Sequence, residues 1–569
     1  MKRPLSVSVL VLTLCSLLFL FIPTTKQAFA EKKRLSAKYV GEYAAVPWTA
    51  KGIEITPGSR QDRVRDLNFA VSSINLNGDI SPGFLQGWNQ RAKLAREQGG
   101  AFLPRVYFWD GNDRFTGPLR DIDVYWNRLD TFLGAMDLEN FTGIILAEEN
   151  IHYAGRPEVL AELYHRVKEK YDIEVWQWWS PYRQTPSSGG WIPADGWVID
   201  HYFTGDPAFR RDVRKYLITG KPLVIMPWAA QMDLNKEMTE SEWAANQFQL
   251  DTAVEFNVPV AFFWIHGVAA NFGCNRGEPQ TEIDRINHWV WDYIERVREL
   301  ADDYDGLESA DIATGDVHEI GPTQGDRLVY SESFSDEKCV DDASMTGFRD
   351  FLLDGQALAV RGYRGRDIDC SLEYRFQGEL SALEPAVQLE VNRHPKFQGK
   401  VEVAISKSGE HWIRQEADSS TQSQLRLTTE NSAEFKSVQE FRVRVHITGK
   451  SLEDGSPAVF LDNLVIQAGI QAAENKQIQL TSFEEGPDRF SYVEEFLSQK
   501  YRYYADITNE HQLTWQKGKI GVRLRPGGTQ VAIIWKVTAP EAFHNIQVQI
   551  DGFANRINLG TNHYLDVSS

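Results

Sequence analysis

The chain has 569 residues, 42% of them hydrophobic, and carries a formal charge of -19 with four cysteines. An acidic excess of this size argues against nucleic acid and anionic membrane surfaces as partners, and the length allows roughly two to four domains. No Cys or His spacing resembles a zinc site.

From Met1 the order is a basic pair (Lys2, Arg3), an apolar run from Leu5 to Ile22, and Ala28-Phe29-Ala30. That is the grammar of a secretory signal peptide, so residues 1–30 are excluded from the fold, and the mature chain is expected to be secreted, extracellular or periplasmic, with no membrane contact. A run of this length could also stay as an uncleaved anchor. Three cysteines then remain, Cys274, Cys339 and Cys370, of which the last two fall in one later domain and could pair.

Residues 31–310 alternate strand-like and helix-like segments. Strands are expected at Tyr39 to Val46, Leu67 to Ile74, Phe102 to Trp109, Gly143 to Glu148, Glu174 to Trp179, Trp197 to Tyr202, Leu223 to Trp228 and Val260 to Ile265. Amphipathic helices lie between most of them, at Phe84 to Gln98, Val124 to Met136, Pro157 to Tyr171, Ala208 to Leu217 and Ser241 to Phe256, and Ile283 to Leu300 follows the last strand. Eight strands in this rhythm predict an N-terminal α/β domain, a (β/α)8 TIM barrel. A doubly wound open sheet is the alternative, lowered by the lack of a Gly-rich phosphate loop after any early strand.

Residues 318–470 lose the helical period. Short strands at Leu358 to Tyr363, Ser371 to Phe376, Ala386 to Asn392, Lys400 to Ser406, Glu440 to Thr448 and Ala458 to Gln467 predict an all-β sandwich, with turns at Ser408-Gly409 and Asp454-Gly455. Residues 475–569 are again β-like, at Lys519 to Leu524, Gln530 to Val537 and Asn545 to Ile550, and predict a second sandwich module. Laid over the first, Asn545 to Ser569 matches Ala386 to Trp412 up to mid-hairpin, so this module is expected to be incomplete and to leave an open sheet edge.

In a parallel barrel every strand tip faces one mouth. The tips supply Trp109 and Asp110 on strand three, Glu148 and Glu149 on strand four, Gln177 and Trp179 on strand five, and Asp200, His201 and Tyr202 on strand six; Trp228 ends strand seven, and Trp264 and His266 end strand eight. All but three of the 17 Trp precede Leu300, and tryptophans at strand ends suit sugar, whose C–H faces stack on aromatic rings while its hydroxyls take carboxylate, amide and imidazole partners. Core filling is the simpler account for Trp126, Trp243, Trp289 and Trp291, which sit in helices. Glycoside hydrolysis needs a carboxylic acid and a second carboxylate. Strand alternation lets only one of Glu148 and Glu149 face the mouth; small Ala147 shares parity with Glu149, which favours Glu149 as the acid. Asp200 is the best second carboxylate, with Asp110 and Glu148 in reserve; a helix N-cap or a structural ion pair is the bland alternative for Asp200.

With AEEN at Ala147 to Asn150 and FFWIHG at Phe262 to Gly267, the barrel resembles the superfamily of (β/α)8 glycoside hydrolases. The resemblance implies glycan hydrolysis without a catalytic cofactor, Glu149 matching the acid/base position and Trp264 a sugar-stacking one. One departure is plain: strand seven reads LVIMPWAAQ, with no Glu where the common pattern puts the nucleophile. Either the second carboxylate lies elsewhere or the barrel only binds carbohydrate, as a non-catalytic or scaffold protein would. Through Glu332-Ser333-Phe334, ISKSGEHW at Ile405 to Trp412 and FLDNLVI at Phe460 to Ile466, the sandwich resembles jelly-roll modules of secreted carbohydrate-active enzymes. That resemblance implies a structural calcium, whose ligands here would be Glu332 and Asp462. A Ser-His-Asp hydrolase finds no G-x-S-x-G elbow in this chain.

Overall fold

The computed structural model describes residues 35–43, 47–51, 53–54, 65–107, 122–146, 157–179, 185–202, 205, 207–228, 238–263, 280–306, 308–324, 327–417 and 420–470, together with short strands at 478–479, 505–508, 513–516, 519–522, 532–535 and 537–538. The expected leader therefore lies outside the described residues, as do Cys274 and the stretch 545–569 on which the incomplete-module expectation rests. Among the described residues no helix is long and apolar enough to cross a membrane.

The N-terminal domain is a closed parallel barrel. Its strands are β1 (Val40–Tyr43), β2 (Phe69–Val71 continuing as Ser73–Asn75), β3 (Ala101–Phe102 continuing as Arg105–Tyr107), β4 (Ile144–Leu146), β5 (Val175–Trp179), β6 (Gly196–Ile199), β7 (Leu223–Ile225) and β8 (Val260–Phe263). Each pairs in parallel with the next, and β8 returns to β1, so no edge is left. The helices α1 (Pro82–Glu97), α2 (Ile122–Gly134), α3 (Pro157–Lys170), α4 (Pro207–Leu217), α5 (Glu240–Glu255) and α6 (Gln280–Arg298) pack outside. Local chemistry sets several starts. Ser81 accepts the Phe84 amide ahead of Pro82, and Thr239 with Glu242 closes a reciprocal capping box on α5. Among the described residues between β5 and β6, the helical element is a 3-10 turn, Pro186–Gly189.

Strand alternation divides the core. Tyr43, Phe69, Val71, Leu103, Ile145, Trp176, Trp178, Val198, Val224, Met226, Trp228 and Phe263 cluster inside the barrel. Their neighbours Ala70, Phe102, Val106, Ile144, Leu146, Val175, Trp179, Trp197, Ile199, Ile225 and Phe262 belong to the layer shared with the helices. Trp176 is accommodated by two glycines. A Cβ on Gly143 would stand 2.9 Å from its ring, and one on Gly196 would stand 2.5 Å away.

The second domain is a sandwich of two layers joined by one long strand. Its strands are β9 (Val317–Glu319), β10 (Arg327–Glu332), β11 (Ser344–Thr346), β12 (Phe351–Leu353), β13 (Leu358–Val360), β14 (Ile368–Arg393), β15 (Gly399–Ser406), β16 (Ile413–Glu416), β17 (Gln422–Thr428), β18 (Val438–Gly449) and β19 (Val459–Ile470). The sequence predicts two strands at Ser371 to Phe376 and Ala386 to Asn392; they are the two halves of β14. The first half pairs with β18 and β11, the second with β19 and β17, with register shifts in between. A bulged strand that changes layers reads in sequence as two strands with a loop. Cys339 and Cys370 are both buried and free in this core, so they do not form a disulfide.

The sandwich docks beside the start of β6 and the end of α4, on the side of the barrel where strands begin. The Leu353 amide bonds to the Ile218 carbonyl at 2.7 Å, and Lys215 pairs with Asp341 at 2.7 Å. Buried Glu337 accepts the Ser187 amide at 2.8 Å, the Ser187 hydroxyl, and the Thr185 hydroxyl at 3.3 Å. Burial pushes this carboxyl above its ordinary range, with the Ser187 hydrogen bonds opposing. The folded state then binds more protons than the unfolded one between the ordinary and the raised value, so this contribution to stability declines as pH rises through that window. Glu337→Gln cannot ionise and should therefore show a flatter fall in Tm from acidic to neutral pH than the wild type. Thermal melts of the two proteins across that range check this, and superimposable pH profiles would rule it out.

Candidate active site

At the inner tips of the strands the aromatic side chains run in one continuous arc. Trp178 meets Tyr43 edge-on at 5.4 Å, Tyr43 stacks on Phe263 at 4.8 Å, Phe263 contacts Trp228 at 5.0 Å, and Trp228 meets Tyr202 at 4.2 Å. Two charges sit in this arc. The Tyr202 hydroxyl donates to Asp200 Oδ2 at 2.7 Å, and the Arg105 guanidinium lies 5.5 Å from the Tyr43 ring and 5.9 Å from that of Trp178. The Tyr43 hydroxyl is held by Ser73 at 2.8 Å.

Asp200 follows Val198 by two, and Val198 points into the barrel, so the carboxylate shares the interior parity; its exposure is 0%. Amides of α5 fix the backbone around it. Gln249 donates to the His201 carbonyl at 2.6 Å, and Asn246 donates to the Trp228 carbonyl. On the far side of β6, burial first, then the charges of Asp212, Glu337 and Asp200, push the Tyr216 phenol well above its ordinary value and keep it neutral.

The structure thus brings together Asp200, Tyr202 and Trp228 of the residues expected at the mouth. It places Gln177, Trp179 and His201 on the other face of the sheet. Gln177 donates to the Pro193 carbonyl at 3.3 Å, Trp179 packs against Trp197 at 6.2 Å, and the His201 ring lies against Phe209 at 6.1 Å with Nδ1 3.5 Å from Asp212. All three are buried toward the helices, where they support the strands. The sequence reading applied parity only to Glu148 and Glu149 and gathered the other tip residues without it, and parity separates these three. Asp110, Trp109, Glu148, Glu149, Trp264 and His266 lie outside the described residues. Tyr43, Phe263 and Arg105 were missed. The signal was an Arg in an otherwise apolar strand, at Arg105-Val106-Tyr107, and aromatic residues of interior parity.

Glu332 is buried and accepts the Phe334 amide at 2.9 Å, whereas Asp462 is bonded by the Asn392 amide. Among the described residues no group of three or more His, Cys, Asp or Glu side chains is placed to hold a metal.

No protein-family model matches the chain, and no curated protein matches its sequence. Among solved structures, it resembles a GH113 β-1,4-mannanase with a TM-score of 0.35 at 11% identity, over 46% of this chain and 99% of that one. It also resembles a calcium-binding mutant of Bacteroides uniformis β-glucuronidase 2, with a TM-score of 0.32 at 8% identity, over 76% of this chain and 65% of that one. TmCBM61 in complex with β-1,4-galactotriose matches with a TM-score of 0.16 at 11% identity, over 25% of this chain and 88% of that one. The mannanase and the glucuronidase are glycoside hydrolases. At these TM-scores they carry no argument about activity, and the (β/α)8 assignment rests on the closed strand order.

Proposed function

We propose that the chain is a secreted glycoside hydrolase-like protein that cleaves a polysaccharide or oligosaccharide at the C-terminal mouth of its barrel. Glu149 is the acid that protonates the leaving oxygen, Asp200 is the nucleophile or the base for water, and Glu148 and Asp110 stand in reserve. Tyr202 and Trp228 contact the sugar, joined by Trp109, Trp264 and His266. The observation that carries this reading is the hydrogen-bonded Tyr202–Asp200 pair on the inner wall of the barrel, set in an aromatic arc. Ile145 faces the barrel interior, and alternation counted along the sequence gives Glu149 rather than Glu148 the same parity.

Reducing-end release from plant, algal and microbial polysaccharides tests it. The mature protein should release sugar from at least one, and Glu149→Gln should abolish release while Glu148→Gln retains most of it. No release from any polysaccharide by the wild-type protein would sink the catalytic reading. A second reading, a barrel that binds glycan without cleaving it, is favoured by the complete burial of Asp200, since a carboxylate must be reached by substrate to act. Binding retained in all three proteins without release would establish it.

A further inference from the structure

Helix α4 is shared between two cores. Phe209, Asp212, Val213 and Tyr216 are buried on its barrel face, while Arg211 and Lys215, one turn apart, reach the sandwich. There Lys215 pairs at 2.7 Å with Asp341 of the short helix Lys338–Asp342, and Arg211 lies 3.9 Å from the same carboxylate and 3.2 Å from Asp316. The residue just past α4 goes further. Ile218 is 0% exposed and belongs to the apolar core of the sandwich, and its carbonyl accepts the Leu353 amide. The following residue, Thr219, accepts a hydrogen bond from the Trp197 indole of β6 at 2.8 Å. Two successive residues are therefore anchored in different domains. A module docked through a polar, separable interface would leave no barrel side chain in its own core.

The barrel face of α4 lies directly behind the strand that carries Asp200. Near the strand tip, Asp212 Oδ2 is 3.5 Å from Nδ1 of His201, the residue next to Asp200, and the His201 ring lies 6.1 Å from Phe209. Near the strand start, Tyr216 meets Trp197 at 5.9 Å. The helix thus backs β6 along its length. Tyr216 also registers both domains at once: its phenol is raised first by burial, then by the charges of Asp212, of Glu337 in the sandwich and of Asp200. The entry to β6 is held as well, where the Ser187 amide donates to Glu337 at 2.8 Å and the Trp191 indole donates to the Ser335 carbonyl at 3.0 Å. A shift of β6 would therefore move groups packed in the second core, and close-packed elements transmit such displacements. Misplacing a reacting group by about 1 Å costs about 10²-fold in rate, so a fixed seam at this strand has catalytic value.

We infer that the sandwich is a positioning part of the barrel's active site, holding Asp200 in place through α4, with Ile218 as the positioning residue at the seam. The catalytic half of this inference rests on the proposed role of Asp200. The test compares two truncations in the full mature chain. Ile218→Ala opens the seam, and Ile405→Ala makes the same truncation at a 0% exposed site on β15, inside the sandwich core and outside the seam. In Ile218→Ala, hydrogen exchange read by mass spectrometry should speed up about tenfold across residues 196–202 and stay unchanged across 69–107, and kcat should fall about tenfold with KM held within about twofold. Ile405→Ala should lower Tm comparably and change neither reading. Ile218→Val should shift both in the same direction by less, and it carries the comparison against Ile405→Val if the alanine variant does not fold. Unchanged exchange across 196–202 at an opened seam overturns the inference, and so does an equal fall in kcat for the two truncations. A wild-type chain inactive on every polysaccharide would remove the hydrolase reading, and the exchange comparison alone would then decide whether the sandwich holds β6.

Discussion

Asp200→Asn should lower glycan hydrolysis by about 10²- to 10⁴-fold with the fold intact, the range expected when a positioned acid or base is lost. The substitution keeps size and one oxygen, so the Tyr202 hydroxyl, which donates to Asp200 at 2.7 Å, retains an acceptor. What disappears is the negative charge and the lone pair needed to attack carbon or take a proton from water. Tyr202→Phe removes the donor and leaves the carboxylate. A hydrogen bond to a charged group contributes about 1.5–3 kcal/mol, so a roughly ten- to hundredfold fall in kcat is expected, smaller than that of Asp200→Asn. Steady-state rates on the responding polysaccharide, with a thermal melt of each variant, check both. Asp200→Asn at wild-type rate would remove Asp200 from the chemistry and pass the role to Asp110 or Glu148.

Trp176→Ala should destabilise the barrel by about 3–5 kcal/mol, the usual cost of deleting a large aromatic from a close-packed core. The side chain is 1% exposed, and its indole nitrogen bonds to Glu174 at 3.2 Å, so truncation leaves a cavity and removes this hydrogen bond. Gly196→Ala should also destabilise the barrel, because its new Cβ would fall 2.5 Å from the indole. These two effects share a cause. In a Trp176→Leu background the Gly196→Ala penalty should shrink by at least half, a coupling that a double-mutant cycle in urea reads directly. Strictly additive penalties would mean that Gly196 is needed for its backbone rather than for the space above it.

Much of this architecture is local and therefore legible. Each barrel strand falls within one residue of a predicted segment, and the first, Val40–Tyr43, lies inside its own, because a buried parallel strand is a short apolar run whatever surrounds it. The helices match to within a few residues because their period and caps are written in adjacent positions. The sandwich was less legible. Short strands such as Ser344–Thr346 and Phe351–Leu353 carry too few residues for a period, and their pairing partners lie elsewhere in the chain.

By itself, then, the sequence determined the alternation of strands and helices, the change to an all-β grammar, and the wealth of aromatics and acids at the strand ends, since these depend on spacing along the chain. Tertiary structure decided which of those tip residues share a face. Trp178 turned inward commits Gln177 and Trp179 outward, and Val198 turned inward brings Asp200 with it and sends His201 to the helices. That choice is set by how eight strands tilt and stagger when the barrel closes, a global condition absent from any local window. The same holds on the sandwich, where Ser344, Glu373 and Arg444 are distant in sequence and only cross-strand register makes them successive neighbours.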